Sequence, residues 1–450
     1  MSASRSRSSP LLAATVQNAR RSPLYAADPD WQAVAAGAGA FEDLPLMTKE
    51  IYRSRSTDLL QPPDVAIQHT KGTTGEVTFR YRRAGDAEFL AGVLAAVWES
   101  GYEPSVRRPL VLRELDGSHG GPVAEAAGTG VLTASDDPAG FERAVHLLTR
   151  RFRVAGLGDR VAVVSGRLRF LIILTTTLRE RGIPAASLGV GAVLTYGSFV
   201  SRRWRAFLED FWGVGLLDSY SLSEIFGSAT RCPDCGDYRF DEPSVHAEFV
   251  SPATGGPVDE GWAVPVLTEL YPFVTHEPLV RYWTGDLVRL DPRGCCGPGS
   301  FAVKGRLESA VRDLDRTPAR VLVPWTELVE VLEDVEGLAW EVDPFDWSTR
   351  DQRVSAALRA APLGVPQIAT RVREAAPGVR RIELDAVVPD CRAGGGEQVA
   401  EHLRQRLLVG CALLAEAVQE GAYQLHVRVV DRLRPRPGRE ARTLIDRMGS

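Results

Sequence analysis

The chain has 450 residues and a net charge of −5, from 53 Lys plus Arg against 58 Asp plus Glu. With 44% hydrophobic and 25% charged residues it has the balance of a globular protein, long enough for at least two domains. An acidic balance speaks against a general nucleic-acid binder, and no apolar run nears the ~20 residues that span a bilayer.

In chain order, Arg5 and Arg7 among serines lack the apolar stretch of a secretion signal, so a cytoplasmic location is expected. The extended-looking run Asp64 to Gln68 leads into His69-Thr70-Lys71-Gly72-Thr73-Thr74-Gly75-Glu76. Glycine lets backbone N–H groups converge on an anion. The hydroxyls of Thr70, Thr73 and Thr74 and the charge of Lys71 suit a polyphosphate. The loop lacks the Gly-Lys-Ser/Thr ending of a Walker motif, and a plain turn is the alternative reading of the loop in isolation.

The middle of the chain alternates strands and helices. Arg160 to Ser165 reads as a strand, a helical stretch follows from Arg167 to about Arg181, and Leu188 to Leu194 reads as a second strand. Ser201 is placed to cap a helix on which Trp204, Phe207, Leu208 and Phe211 recur at helical spacing, and Val214 to Leu217 starts another strand. Such alternation predicts parallel crossovers and a doubly wound sheet, with ligands beyond the carboxyl ends of the strands. Tyr196-Gly197-Ser198 and the run Asp218 to Glu224 both lie at such ends. After Arg306 a helix-like Trp325 to Leu332 and later amphipathic segments predict a smaller α+β domain. The expected boundary is 1–303 against 304–450.

These segments resemble the adenylate-forming superfamily, and within it the phenylacetate–CoA ligase-like branch. The glycine loop is similar to the family's phosphate loop. Ser22-Pro23-Leu24-Tyr25 and Leu44-Pro45-Leu46-Met47-Thr48-Lys49-Glu50 resemble its N-terminal segments. Asp218-Ser219-Tyr220-Ser221-Leu222-Ser223-Glu224 resembles its D-x-YG-x-[ST]E motif, and Arg281-Tyr282-Trp283-Thr284-Gly285-Asp286-Leu287 its RY-x-TGDL motif. Gly305-Arg306 is similar to the start of its domain hinge. The resemblance covers the chain from about residue 20 to about 330 and the remainder loosely. It implies an α/β fold, with a large N-terminal adenylate-forming domain of doubly wound sheets and a small, mobile α+β C-terminal domain.

The activity implied is joining a carboxylate to the α-phosphate of ATP with loss of pyrophosphate, then transfer of the acyl group to a thiol, with coenzyme A as the acceptor. Charge developing on the phosphoryl oxygens must be met by preorganised donors, cations and Mg²⁺. By resemblance, Thr70, Lys71, Gly72, Thr73, Thr74 and Gly75 hold the β- and γ-phosphates, Ser223 touches a phosphate oxygen and Glu224 coordinates Mg²⁺. Tyr220 stacks on adenine beside Gly197, Ser198 and Ser219, and Asp286 accepts from the ribose hydroxyls, with Arg306 at the hinge. Tyr196, Phe199, Ile225 and Phe226 flank these motifs as an acyl slot or as plain core. Capture of the adenylate by an amine, and a degenerate homologue that binds nucleotide without turnover, are the alternatives. A homodimer is open; a nucleic-acid or membrane partner is not expected.

Two departures from the family pattern stand out. Ser221 replaces a customary glycine. The family's C-terminal lysine, which bridges the acyl carboxylate and the α-phosphate, has no counterpart: the three lysines are Lys49, Lys71 and Lys304. Arg439 follows a glycine as that lysine should, although alignment on Leu444-Ile445-Asp446 puts Glu440 there. The adenylation step is therefore the one in question.

Cys232-Pro233-Asp234-Cys235 and Cys295-Cys296 form two pairs that can make a four-thiolate structural zinc site. Adjacent cysteines chelate one metal less comfortably than spaced ones, so His246 or one cysteine of that pair is an alternative ligand. Unliganded reduced thiols are the other reading. Cys391 and Cys411 read as isolated.

Overall fold

The computed structural model describes residues 10–60, 66–69, 78–82, 108–115, 130–240, 244–313, 320–341, 365–389 and 396–433. Among them, twelve strands form one sheet. Its parallel half runs, from the edge inward, through Gly130–Ser135, Arg108–Leu115, Leu157–Ser165, Ala192–Tyr196 and Leu216–Ser221. The chain then turns back on itself, and the order continues antiparallel through Ser228–Arg231, Tyr238–Arg239, Phe301–Arg306, Asp286–Leu290, Gly261–Glu269 and Val245–Val250.

Side-chain alternation separates the two faces of the parallel half. Leu112, Val164 and Val193 enter a large cluster with the helices Pro138–Thr149, Leu168–Glu180 and Arg202–Trp212, while Val111, Val163 and Ala192 form a cluster of their own. Each fully buried Phe or Leu, such as Phe170, Leu171 and Leu174, contributes about 1.5–3 kcal/mol, so this cluster dominates the stability of the half-sheet. Ser201 caps its helix as expected, its Oγ accepting from Trp204 N at 3.5 Å. The strand expected over 188–194 begins only at Ala192, because Ala185–Ser187 closes a 3₁₀ turn first. No helix among the described residues is long and apolar enough to cross a membrane.

The C-terminal part is a separate α+β unit. Ile368–Ala376, Val379–Val387 and Tyr423–Val430 make a three-stranded sheet whose last two strands are parallel. The helices Trp325–Leu332, Gly396–Gly410 and Ala412–Gln419 pack on it around Leu328, Leu384, Leu403 and Leu414. Cys411 is buried in this core, where burial pushes its thiol up to about 12; Cys391 lies outside the described residues. The two parts touch through side chains: Ser201 Oγ donates to Glu333 Oε1 at 2.9 Å, and Arg203 Nη1 to Glu333 O at 3.0 Å.

Candidate active site

The segment carrying Lys49 is tied to the segment carrying Asp286 by backbone. Met47 N donates to Arg281 O and Trp283 N to Met47 O, both at 2.9 Å. Arg281 anchors the crossing: it forks onto Glu248 at 3.0 and 3.1 Å and donates to Glu42 O and Leu44 O. Thr48 then caps the helix Lys49–Arg55, its Oγ accepting from Ile51 N. A cation in the first helical turn opposes the helix dipole, so the helix itself gains nothing from Lys49. Its Nζ instead lies 3.3 Å from Glu224 Oε1.

Glu224 sits in the turn between Leu216–Ser221 and Ser228–Arg231 and is buried. Besides Lys49 it meets the phenol of Tyr282, which burial and the nearby Glu224 charge hold protonated. The register Asp286↔Arg306 across two antiparallel strands sets the next pair. Arg306 Nε stands 3.1 Å from Asp286 Oδ1, and its Nη1 donates to Thr284 O at 2.8 Å. The Tyr220 hydroxyl donates to Asp286 Oδ2 at 2.7 Å. Burial raises the Asp286 carboxyl above its ordinary range, opposed by Arg306 and by the Tyr220 hydroxyl, and the charges of Glu224 and Lys49 also reach it. These residues therefore form one electrostatic unit.

The Tyr220 ring, expected on sequence grounds to stack on adenine, packs edge-on against Tyr238, Phe240 and Phe301. Asp218 at the head of the same motif is internal scaffolding: it accepts from Arg205 Nη2 at 2.9 Å and Tyr238 Oη at 2.7 Å. Gly197 and Ser198 are exposed at the carboxyl end of Ala192–Tyr196, beside Ser219, which pairs with Tyr196. Gly197 has φ +68°, a conformation that favours glycine. Ser223 is exposed, whereas Ile225 and Phe226 are buried core. Thr70, Lys71, Gly72, Thr73, Thr74, Gly75 and Arg439 lie outside the described residues. The strands flanking the glycine loop pair antiparallel, His69 opposite Phe79. Sequence reasoning passed over Lys49 and Tyr282 as site residues, although both stand inside the motifs that it quoted.

The four cysteines converge. Cys232 Sγ lies 3.7 Å from Cys295 Sγ, Cys235 Sγ 3.6 Å from Cys296 Sγ, and all four sulfurs fall within 4.8 Å of one another without a disulfide. A tetrahedral Zn–S distance of about 2.3 Å implies sulfur–sulfur edges of about 3.8 Å, so this donor set fits zinc. Backbone N–H groups of Cys235 and Asp234 lower the Cys232 thiol to about 6, while hydrogen bonds from the neighbouring thiols raise those of Cys295 and Cys296. His246 is not part of the cluster; it packs edge-on against Phe41. Both sulfurs of the adjacent pair Cys295-Cys296 lie in the cluster.

No family model matches the chain. A phenylacetate–coenzyme A ligase of Thermus thermophilus is 30% identical over 290 residues, which cover 58% of this chain and 60% of that protein. The chain so spans about 60% of the length of the curated relative that it matches. Its fold is that of 2-hydroxyisobutyryl-CoA ligase, solved in an open conformation with 2-HIB-AMP and CoA: TM-score 0.66 at 15% identity, covering 96% of this chain and 89% of that one. ATP-bound MatB from Rhodopseudomonas palustris also aligns, with TM-score 0.50 at 15% identity over 82% of this chain and 65% of that one. The chain is thus similar in sequence to a CoA ligase and has the fold of another. This similarity agrees with the ordered motifs, and Glu224 follows the last of the parallel strands, Leu216–Ser221.

Proposed function

We propose that this protein consumes ATP to activate a carboxylic acid as an acyl-adenylate and passes the acyl group to a thiol, coenzyme A. The observation that carries the reading is the convergence of Lys49, Glu224, Asp286 and Arg306 from four separate segments of the chain. In the first step a carboxylate oxygen of the acid attacks the α-phosphorus and pyrophosphate leaves. The loop Thr70, Lys71, Gly72, Thr73, Thr74 and Gly75 holds the leaving phosphates, with Ser223 on a further phosphate oxygen. Glu224 would hold Mg²⁺, which would supply charge neutralisation at the phosphates. Asp286 takes the ribose; although Tyr220 and Arg306 occupy one side of each oxygen, a carboxylate offers about four lone-pair sites, so capacity remains. Tyr220, Gly197, Ser198 and Ser219 border the adenine. In the second step the thiol attacks the acyl carbon and AMP leaves.

Arg439 stands in for the missing C-terminal lysine in this reading, and Lys49 supplies a compact ammonium from the large domain. Gly305-Arg306 forms the hinge, next to the 303/304 boundary. Cys232, Cys235, Cys295 and Cys296 hold one structural zinc, and the protein works in the cytoplasm.

The test is pyrophosphate release from Mg·ATP across aryl, amino-aryl and aliphatic acids. Acid-dependent release that disappears in Glu224→Ala supports the reading, and consumption of coenzyme A or of an added amine identifies the acceptor. The absence of lysine after Lys304 favours a second reading, nucleotide binding without turnover. Nucleotide binding with no pyrophosphate release for any acid would select it.

A further inference from the structure

A second set of buried ionisable groups takes no part in the proposed reaction. Arg80, Glu269 and Glu277 are each no more than 3% exposed. Arg80 Nη2 lies 2.6 Å from both oxygens of Glu269, and Nη1 lies 3.1 Å from Glu277 Oε2. A buried ion pair gives little net stability over an apolar replacement, because desolvation offsets the attraction. Stability alone therefore does not account for three such groups.

Their remaining bonds run to backbone at the proposed site. Glu269 Oε1 accepts from Phe226 N at 2.7 Å, two residues from Glu224, and Oε2 from Leu279 N at 3.0 Å, just before Arg281. Glu277 Oε2 accepts from Tyr81 N at 3.0 Å, on the hairpin that brackets the glycine loop. Tyr52, on the helix that starts at Lys49, sets its hydroxyl 2.7 Å from Phe79 O and 3.2 Å from Glu277 Oε1, and its ring meets Tyr282 edge-on. This centre thus joins the Lys49 helix, the strand Phe79–Arg82, the Glu224 turn and the segment leading to Arg281.

We infer that the buried Arg80–Glu269–Glu277 centre is a positioning device that holds the strand pair Ala66–His69 and Phe79–Arg82 and the Glu224 turn in register with each other. The inference rests on the adenylation reading for its purpose, but the coupling itself is measurable without activity. Glu269→Gln keeps an acceptor for Phe226 N and removes the charge that Arg80 grips. Hydrogen exchange in the full-length variant is expected to accelerate together in peptides covering 66–82 and 222–228, with Leu157–Ser165 and Ala192–Tyr196 unchanged. If wild type releases pyrophosphate, kcat in the variant falls by up to about 100-fold, the scale of a small misplacement, with the KM for the acid nearly unchanged. The triple variant Arg80→Met/Glu269→Gln/Glu277→Gln replaces all three ionisable groups by neutral ones and is expected to fold with the same paired acceleration. Exchange confined to the surroundings of residue 269 would overturn the inference, as would failure of both variants to fold, which would make the centre a stability element only. A silent wild type with paired acceleration would instead overturn the adenylation reading and leave the coupling intact.

Discussion

Lys49 Nζ lies 3.3 Å from Glu224 Oε1, joining the first residue of one helix to a buried carboxylate 175 positions further along the chain. The lysine side chain is 37% exposed and the glutamate 8%. Partly exposed ion pairs contribute about 0–1 kcal/mol, too little to explain why a buried carboxylate faces a single accessible ammonium. An ammonium beside a proposed Mg²⁺ ligand suits charge developing on phosphate. Lys49→Met is expected to lower acid-dependent pyrophosphate release by about 100-fold, as loss of one preorganised donor does, with the fold intact by circular dichroism. Release within threefold of wild type, on the order of RT, would remove Lys49 from the mechanism.

Zinc content gives a second prediction. Protein purified without chelator is expected to carry one zinc per chain by elemental analysis, and Cys232→Ser to lose it along with thermal stability, since structural zinc sites add folding energy. Metal-free wild-type protein with an unchanged melting temperature would leave the four thiols unliganded.

Glu277 sets a pH dependence. Burial raises its carboxyl from 4.5 to about 7, outweighing the Arg80 charge that lowers it. The folded chain therefore keeps a proton that the unfolded chain loses between those values. The stabilising contribution is full below pH 4.5 and is lost as pH rises through about 7. Relative to Glu277→Gln, wild type should lose about 3 kcal/mol of unfolding free energy over that window, measured by urea denaturation. Parallel curves for the two proteins would contradict the assignment.

Gly305 is constrained on two counts: its φ is +96°, and a Cβ there would come within 2.7 Å of Trp325 Cβ at the start of the first C-terminal helix. Gly305→Ala is expected to cost about 1–3 kcal/mol and to disturb the packing of the helix Trp325–Leu332 against the strand Phe301–Arg306. Tryptophan fluorescence during denaturation reads this directly, and an unchanged midpoint would argue that the junction adjusts freely.

Much of this architecture was legible in the sequence because local signals and ordered motifs agreed. Ser201 as a cap, the strand–helix alternation through 157–221 and the spacing of Cys232, Cys235, Cys295 and Cys296 all follow from short-range chemistry. The partners were not legible. That Lys49 meets Glu224, and that Tyr220 spends its hydroxyl on Asp286, depends on which segments cross, and the crossing of Met47 over Tyr282 carries no local signal. Arg80 gave no warning either: a single arginine in a short strand looks solvent-facing until its buried carboxylate partners, nearly two hundred residues away, are in place.

The most direct measurement of the central claim is pyrophosphate release from Mg·ATP over a panel of carboxylic acids, comparing wild type with Glu224→Ala. The account predicts release that requires one class of acid and vanishes in the variant. Release of equal rate in the variant, or nucleotide binding with no release for any acid, would contradict it.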